Sequence, residues 1–99
     1  MAKQIHFDWN NDTHDQHTHA KKSDPLEFLS AGDGTTVTFR DNKTPLAGGI
    51  KQLQIGTAGP QPAQVDPNAP AGHYAWVAER DNHTTAGRNL AQGQIDIDP

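Results

Sequence analysis

Apolar side chains recur at every second position through much of this chain. In Lys3–Trp9, KQIHFDW, the residues Ile5, Phe7 and Trp9 alternate with His6 and Asp8. A period of two puts one set of side chains on a dry face and the other on a wet one, the mark of a half-buried strand. The alternation returns with Leu26 and Phe28 in DPLEFLS, Val37 and Phe39 in GTTVTFR, and Leu53 and Ile55 in IKQLQIG. It returns again with Tyr74 and Trp76 in HYAWVA and with Ile95 and Ile97 in GQIDIDP. Turn formers separate these segments, as in DNKTPLAGG and DNHTTAGRN. The pattern predicts one all-β domain over residues 1–99, an antiparallel β-sandwich of Greek-key type with six to eight short strands. The only helix candidate is a short turn after Thr84 or around Leu90. Residues 56–72 hold four prolines and three glycines, which predicts a long surface loop with no regular element.

Composition adds that the core is thin. Setting aside 12 alanines and Met1, 19 large apolar side chains remain, and Leu, Ile, Val and Phe number 16 of 99 residues. That share lies below the roughly 20% at which disorder competes with folding. The net charge of −4 is modest, however, and the apolar residues are patterned, so a folded domain of moderate stability is expected, with a homo-oligomer as one way to complete the core. The chain has no cysteine, which excludes disulfides, thiol nucleophiles, thiolate zinc sites and iron–sulfur clusters. MAKQIHFDWNND lacks the apolar stretch of a signal peptide and no apolar run reaches membrane-span length, so a cytoplasmic location is expected. Eight basic residues against 12 acidic ones, with only Lys21 and Lys22 adjacent, argue against a nucleic-acid partner. RDNKT at Arg40–Thr44 and RDNHT at Arg80–Thr84 lie forty positions apart. They read either as a duplicated half or as repeated turn chemistry, the latter being the plainer account.

Candidate chemistry concentrates in Thr13–His19, THDQHTH, which carries three of the six histidines. If His17 and His19 share a strand, both imidazoles project from one face, with α-carbons about 6.5–7 Å apart. A third ligand would come from His14 or Asp15 in the preceding turn, from an adjacent strand, or from His6 across a hairpin. Imidazole with carboxylate suits zinc, nickel or copper(II), so His14, His17 and His19 form the candidate metal set. The alternative is that they are the polar outer face of a hairpin. Enzyme chemistry finds no footing. The only serines, Ser23 and Ser30, lie in no Gly-x-Ser-x-Gly elbow, and Asp96 and Asp98 read as a solvated acidic face. A small binding or assembly module is the leading reading, with Trp9, Tyr74 or Trp76 as a docking aromatic if one is exposed, and a metal-binding protein is the alternative.

The C-terminal third, AGHYAWVAERDNHTTAGRNLAQGQIDI, resembles the copper-site end of the cupredoxin family. Gly72, Tyr74 and Trp76 fit the strand that runs into that family's cysteine ligand, and His83 matches its following histidine. Gly93, Ile95 and Ile97 match the closing strand, and TTVTFRDN is similar to the strand that leads into the first-histidine loop. The resemblance covers residues 35–97 and implies a cupredoxin-like sandwich. Its ligands do not carry over. Ala78 stands near the cysteine position, Leu90 or Ala91 near the methionine, and Gly48–Gly49 where a histidine is needed. Blue copper requires a thiolate with two imidazoles, so the resemblance implies the fold without the electron-transfer site. In size, in Asp-Pro at Asp24, Asp66 and Asp98, and in its IDIDP ending, the chain is also similar to the DP-EP family, small bacterial proteins of cupredoxin-like fold and no assigned function.

Overall fold

The alternating segments form strands where the pattern predicts them. A computed structural model describes residues 2–85 and 87–99. Its strands are β1 (Lys3–Asp8), β2 (Thr13–His14), β3 (His17–Ala20), β4 (Pro25–Ala31), β5 (Thr35–Phe39), β6 (Gln52–Ile55), β7 (Gln61–Gln64), β8 (Gly72–Arg80) and β9 (Leu90–Ile97). They make a four-stranded sheet in the order β2-β1-β4-β7 and a five-stranded sheet in the order β3-β9-β8-β5-β6. The all-β expectation holds.

The expectation of purely antiparallel pairing does not. β1 runs parallel to β4, and β3 runs parallel to β9, while the remaining strand pairs are antiparallel. Alternation reports which side chains face the core, and it is the same for either direction of a neighbour. The direction is set by the route of the chain. After β2 it leaves the four-stranded sheet, lays β3 along the edge of the other, and returns as β4 beside β1.

Two local expectations also change. The 56–72 segment contains β7, which pairs antiparallel with β4 and places Pro62 opposite Glu27. Proline has no N–H for a ladder, and it is tolerated here because β7 is an edge strand. Beyond β7 the segment stays tied down. Val65 bridges Leu46, and the Val65 and Asp66 N–H groups donate to the Asp24 and Pro45 carbonyls at 2.9 and 2.8 Å. The predicted helical turn is likewise absent among the described residues near Thr84 and Leu90. Leu90 opens β9, and a turn of 3-10 helix lies instead at Ala47–Gly49.

Inward-facing residues of both sheets form one apolar cluster, with Ile5, Phe7, Leu26 and Phe28 from one and Val37, Phe39, Ile95 and Ile97 from the other. Trp9, Tyr74 and Trp76 belong to it at 6, 5 and 1% exposure, so none is the exposed docking aromatic that an assembly role invites. Polar ties join the sheets at one end. The Trp9 indole N–H donates to Thr35 Oγ1 at 2.8 Å, and Ser30 Oγ lies 2.7 Å from the same hydroxyl, so the fully buried Thr35 is satisfied. Asp33 accepts from Arg80 Nε at 3.0 Å and from the Asn82 side-chain amide at 2.9 Å. The Arg80 hydrogen bond, opposed by burial and aided by Asn82, holds that carboxyl below its ordinary range. The two RDN-x-T segments differ in conformation. Asp41 and Asn42 are left-handed at φ 62° and 57°, whereas Asn82 is used to hold Asp33. Among the described residues no helix is long and apolar enough to cross a membrane.

Gly93 lies opposite Trp76 in the β8–β9 ladder, and a β-carbon there would run into the Trp76 indole and the Gln16 carbonyl. Backbone and a packed indole cannot both give way. Gly93→Ala is therefore expected to destabilise the fold by about 1–3 kcal/mol, the usual range for overpacking. The measurement is a urea unfolding curve followed by tryptophan fluorescence, and an unchanged midpoint would contradict the packing described.

Candidate metal centre

The outer face of the five-stranded sheet gathers a group that no single segment of the sequence contains. In β3 the buried position is Ala20, so His17 and His19 point to the opposite, exposed side. Their rings stack, with centroids 4.7 Å apart and planes inclined by 24°. The parallel β3–β9 ladder places His17 beside Gln94 and His19 beside Asp96. The β8–β9 ladder then places His73 beside Asp96 from the other side. Three imidazoles from two strands thus surround one carboxylate on the strand between them.

The contacts are close. Asp96 Oδ2 accepts a hydrogen bond from His17 Nε2 and lies 3.9 Å from His19 Nδ1. Its other oxygen, Oδ1, is 2.5 Å from His73 Nδ1 and accepts from Gln94 Nε2 at 2.8 Å. The histidine side chains stay 52 to 75% exposed, while the carboxylate beneath them is only 11% exposed. Burial by itself raises the Asp96 pKa. Hydrogen bonds from His73 and His17, with the charge of both rings, outweigh it and bring the group from 3.8 down to about 2. Asp96 is therefore ionised throughout the neutral range, as a metal ligand must be.

One nitrogen from each of His17 and His19 and one oxygen of Asp96 lie within 4.8 Å of one another. Ligands at 2.0–2.2 Å from a tetrahedral ion are about 3.4 Å apart, so modest side-chain rotation closes the set around one ion. His73, bonded to the second oxygen, holds the carboxylate in orientation, a common arrangement behind metal ligands.

The other histidines are elsewhere. His14 belongs to β2 in the four-stranded sheet, where its side chain is 1% exposed, packed against Trp9 at 4.3 Å between ring centroids, with Nε2 3.3 Å from Asp12. The chain changes sheets between His14 and His17, and this separates the three histidines that the sequence grouped. Asp15 accepts from the His6 N–H at 2.8 Å, and the His6 ring reaches Gln4 at 3.2 Å, so both serve β1 and its turn. His83 pairs with Glu79 at 2.7 Å on the surface. Asp96 and His73 escaped the sequence reading. They carry no local motif, and only the pairing of β9 with both β3 and β8 brings them to His17 and His19. No protein-family model matches the chain, and no curated protein matches it.

The depressed carboxyl links this cluster to acid stability. A group whose pKa is lowered in the folded state contributes stability above its unfolded value and loses it as pH falls through the folded one. For Asp96 that interval runs from 3.8 down to about 2. The native chain is expected to lose stability across this interval by more than Asp96→Asn, which keeps the shape and lacks the titration. Urea midpoints at steps of acid pH check this, and parallel declines would show that Asp96 is not held as described.

Proposed function

We propose that this protein binds a divalent transition metal through His17, His19 and Asp96, on a cupredoxin-like β-sandwich that lacks the blue-copper ligands. The observation that carries the reading is the ionised, nearly buried Asp96 carboxylate beneath the stacked, exposed rings of His17 and His19. Two imidazoles and a carboxylate suit zinc, nickel and copper(II), and three protein ligands leave a position open. Support for the fold comes from the two mixed sheets around a shared cluster, between which the chain passes repeatedly. Support for the missing copper site comes from Ala78, a fully buried methyl where the resemblance needs a thiolate, and from the surface pairing of His83. The reading as an assembly module has lost its motive in the aromatics, since all three candidates are buried. We place no enzyme activity on the chain.

Calorimetric titration of untagged protein with zinc, nickel and copper(II) tests the site. Sub-micromolar affinity is expected for at least one ion, with a loss of at least about thirtyfold, or roughly 2 kcal/mol, in His17→Ala/His19→Ala. Affinity weaker than micromolar, or unchanged in the double variant, sinks the proposal. Protons compete with the ion for the ligating imidazole nitrogens, so binding is expected to weaken as pH falls.

A separate expectation concerns the copper end of the fold. Copper(II) should produce no intense band near ~600 nm, because that absorption needs a thiolate and the chain has no cysteine. His83→Ala should leave copper affinity within about threefold, roughly 0.7 kcal/mol. Abolished binding in that variant would move the site to the loop after β8.

A further inference from the structure

The outer face carries a second charged group in line with the histidine cluster. The ladders align His17 with Gln94 and Gln94 with Ala75, and the Arg40 N–H donates to the Ala75 carbonyl at 2.9 Å, one step beyond Phe39 opposite Trp76. His17, Gln94 and Ala75 therefore form one row across three strands, which Arg40 extends just past the end of β5. All four lie on the face opposite the buried Phe39 and Trp76. Ala75 is the smallest member, and over it lies a trough of about 390 Å³ walled by Gln16, His17, Arg40, Gln92 and Gln94. Among the described residues no side chain pairs with the Arg40 guanidinium, whereas Arg80 and Arg88 each have an aspartate partner.

We propose that the metal held by His17, His19 and Asp96 takes a small dicarboxylate as exchangeable ligand, with the far carboxylate bound by Arg40 across Ala75. This rests on the metal reading above. With His73 bonded to the second oxygen of Asp96, the protein supplies three ligands, and a tetrahedral ion keeps its fourth position for an outside oxygen. A divalent ion neutralised once by Asp96 leaves one positive charge at that end of the trough, and Arg40 supplies one at the other. A dianion matches both, and the guanidinium fork suits a carboxylate bidentately. β9 and β5 lie two strand spacings apart, about 10 Å, and the arginine side chain covers part of that span. The remaining gap fits a chain of four or five carbons. Gln16 and Gln92 on the walls offer neutral amide donors, while the Gln94 amide is already bonded to Asp96.

The test uses the full chain loaded with cobalt(II) or zinc, titrated with acetate, succinate and glutarate. The expected result is that one of the two dicarboxylates binds at least tenfold more tightly than acetate and shifts the cobalt absorption without abolishing it. Arg40→Gln should remove that advantage while leaving zinc affinity unchanged, and Ala75→Leu, which fills the trough, should block the dicarboxylate alone. Three outcomes overturn the inference while the metal site stands. They are equal binding of acetate and dicarboxylates, an advantage that survives Arg40→Gln, and a cobalt band that disappears because the dicarboxylate strips the ion. A chain that takes up neither ion overturns the metal reading and this one together.

Discussion

The parallel ladder between His17–Ala20 and Gln94–Ile97 is the constraint on which the rest of the structure depends. It attaches the N-terminal part of the chain to the edge of the five-stranded sheet, and it joins residues almost eighty positions apart. Ala20 goes into the core and the two histidines stay outside. Because side chains alternate strictly, a slip of one residue would bury the histidines and expose the alanine. The burial of Ala20 and the pairing of His17 with Asp96 on the other face thus favour the same register.

A thin core makes such cross-ties matter. The described chain buries nearly all of its large apolar residues, leaving Ile50 and Leu90 as the exposed exceptions. Polar groups at the sheet ends supply specificity that so few apolar side chains cannot. Thr35 is fully buried yet bonded to Trp9 and Ser30, and Asp33 draws Arg80 and Asn82 onto one carboxylate. Removing one partner from such a group leaves a buried donor or acceptor unmet, which costs more than the bond contributed. The Pro-rich segment is held by the same logic, with backbone donors of Val65 and Asp66 satisfied by Asp24 and Pro45.

On the metal reading proposed above, protons and the ion compete for the same atoms at the histidine cluster. Without an ion, Asp96 is satisfied by donors from His17, His73 and Gln94. In the metal-bound form proposed above, the ion would take the place of the His17–Asp96 hydrogen bond and leave the His73 bond intact. The carboxylate is therefore satisfied within the hydrogen-bonded group, and the one positive-φ residue beside it is Gly72, which opens β8 next to His73. The histidine rings stay open to solvent, and among the described residues no side chain pairs with the Arg40 guanidinium beside them.

The sequence by itself determined six of the strands (β1, β4, β5, β6, β8 and β9), their inward faces and the absence of thiolate chemistry. Alternation at Ile5, Phe7, Val37, Phe39, Tyr74 and Trp76 was enough, since the period of two follows from the geometry of a single strand. It also identified His17 and His19 as neighbours on one face. It did not reveal that β3 lies beside β9, or that β7 uses an edge to accommodate Pro62, because partner and direction depend on the path of the whole chain. Local spacing likewise grouped His14 with His17 and His19, although the chain crosses between sheets in the two residues that separate them. Asp96 looked like one more solvated acid between isoleucines. Only the tertiary structure, by stacking His17 and His19 over it and setting His73 alongside, made it the centre of the site.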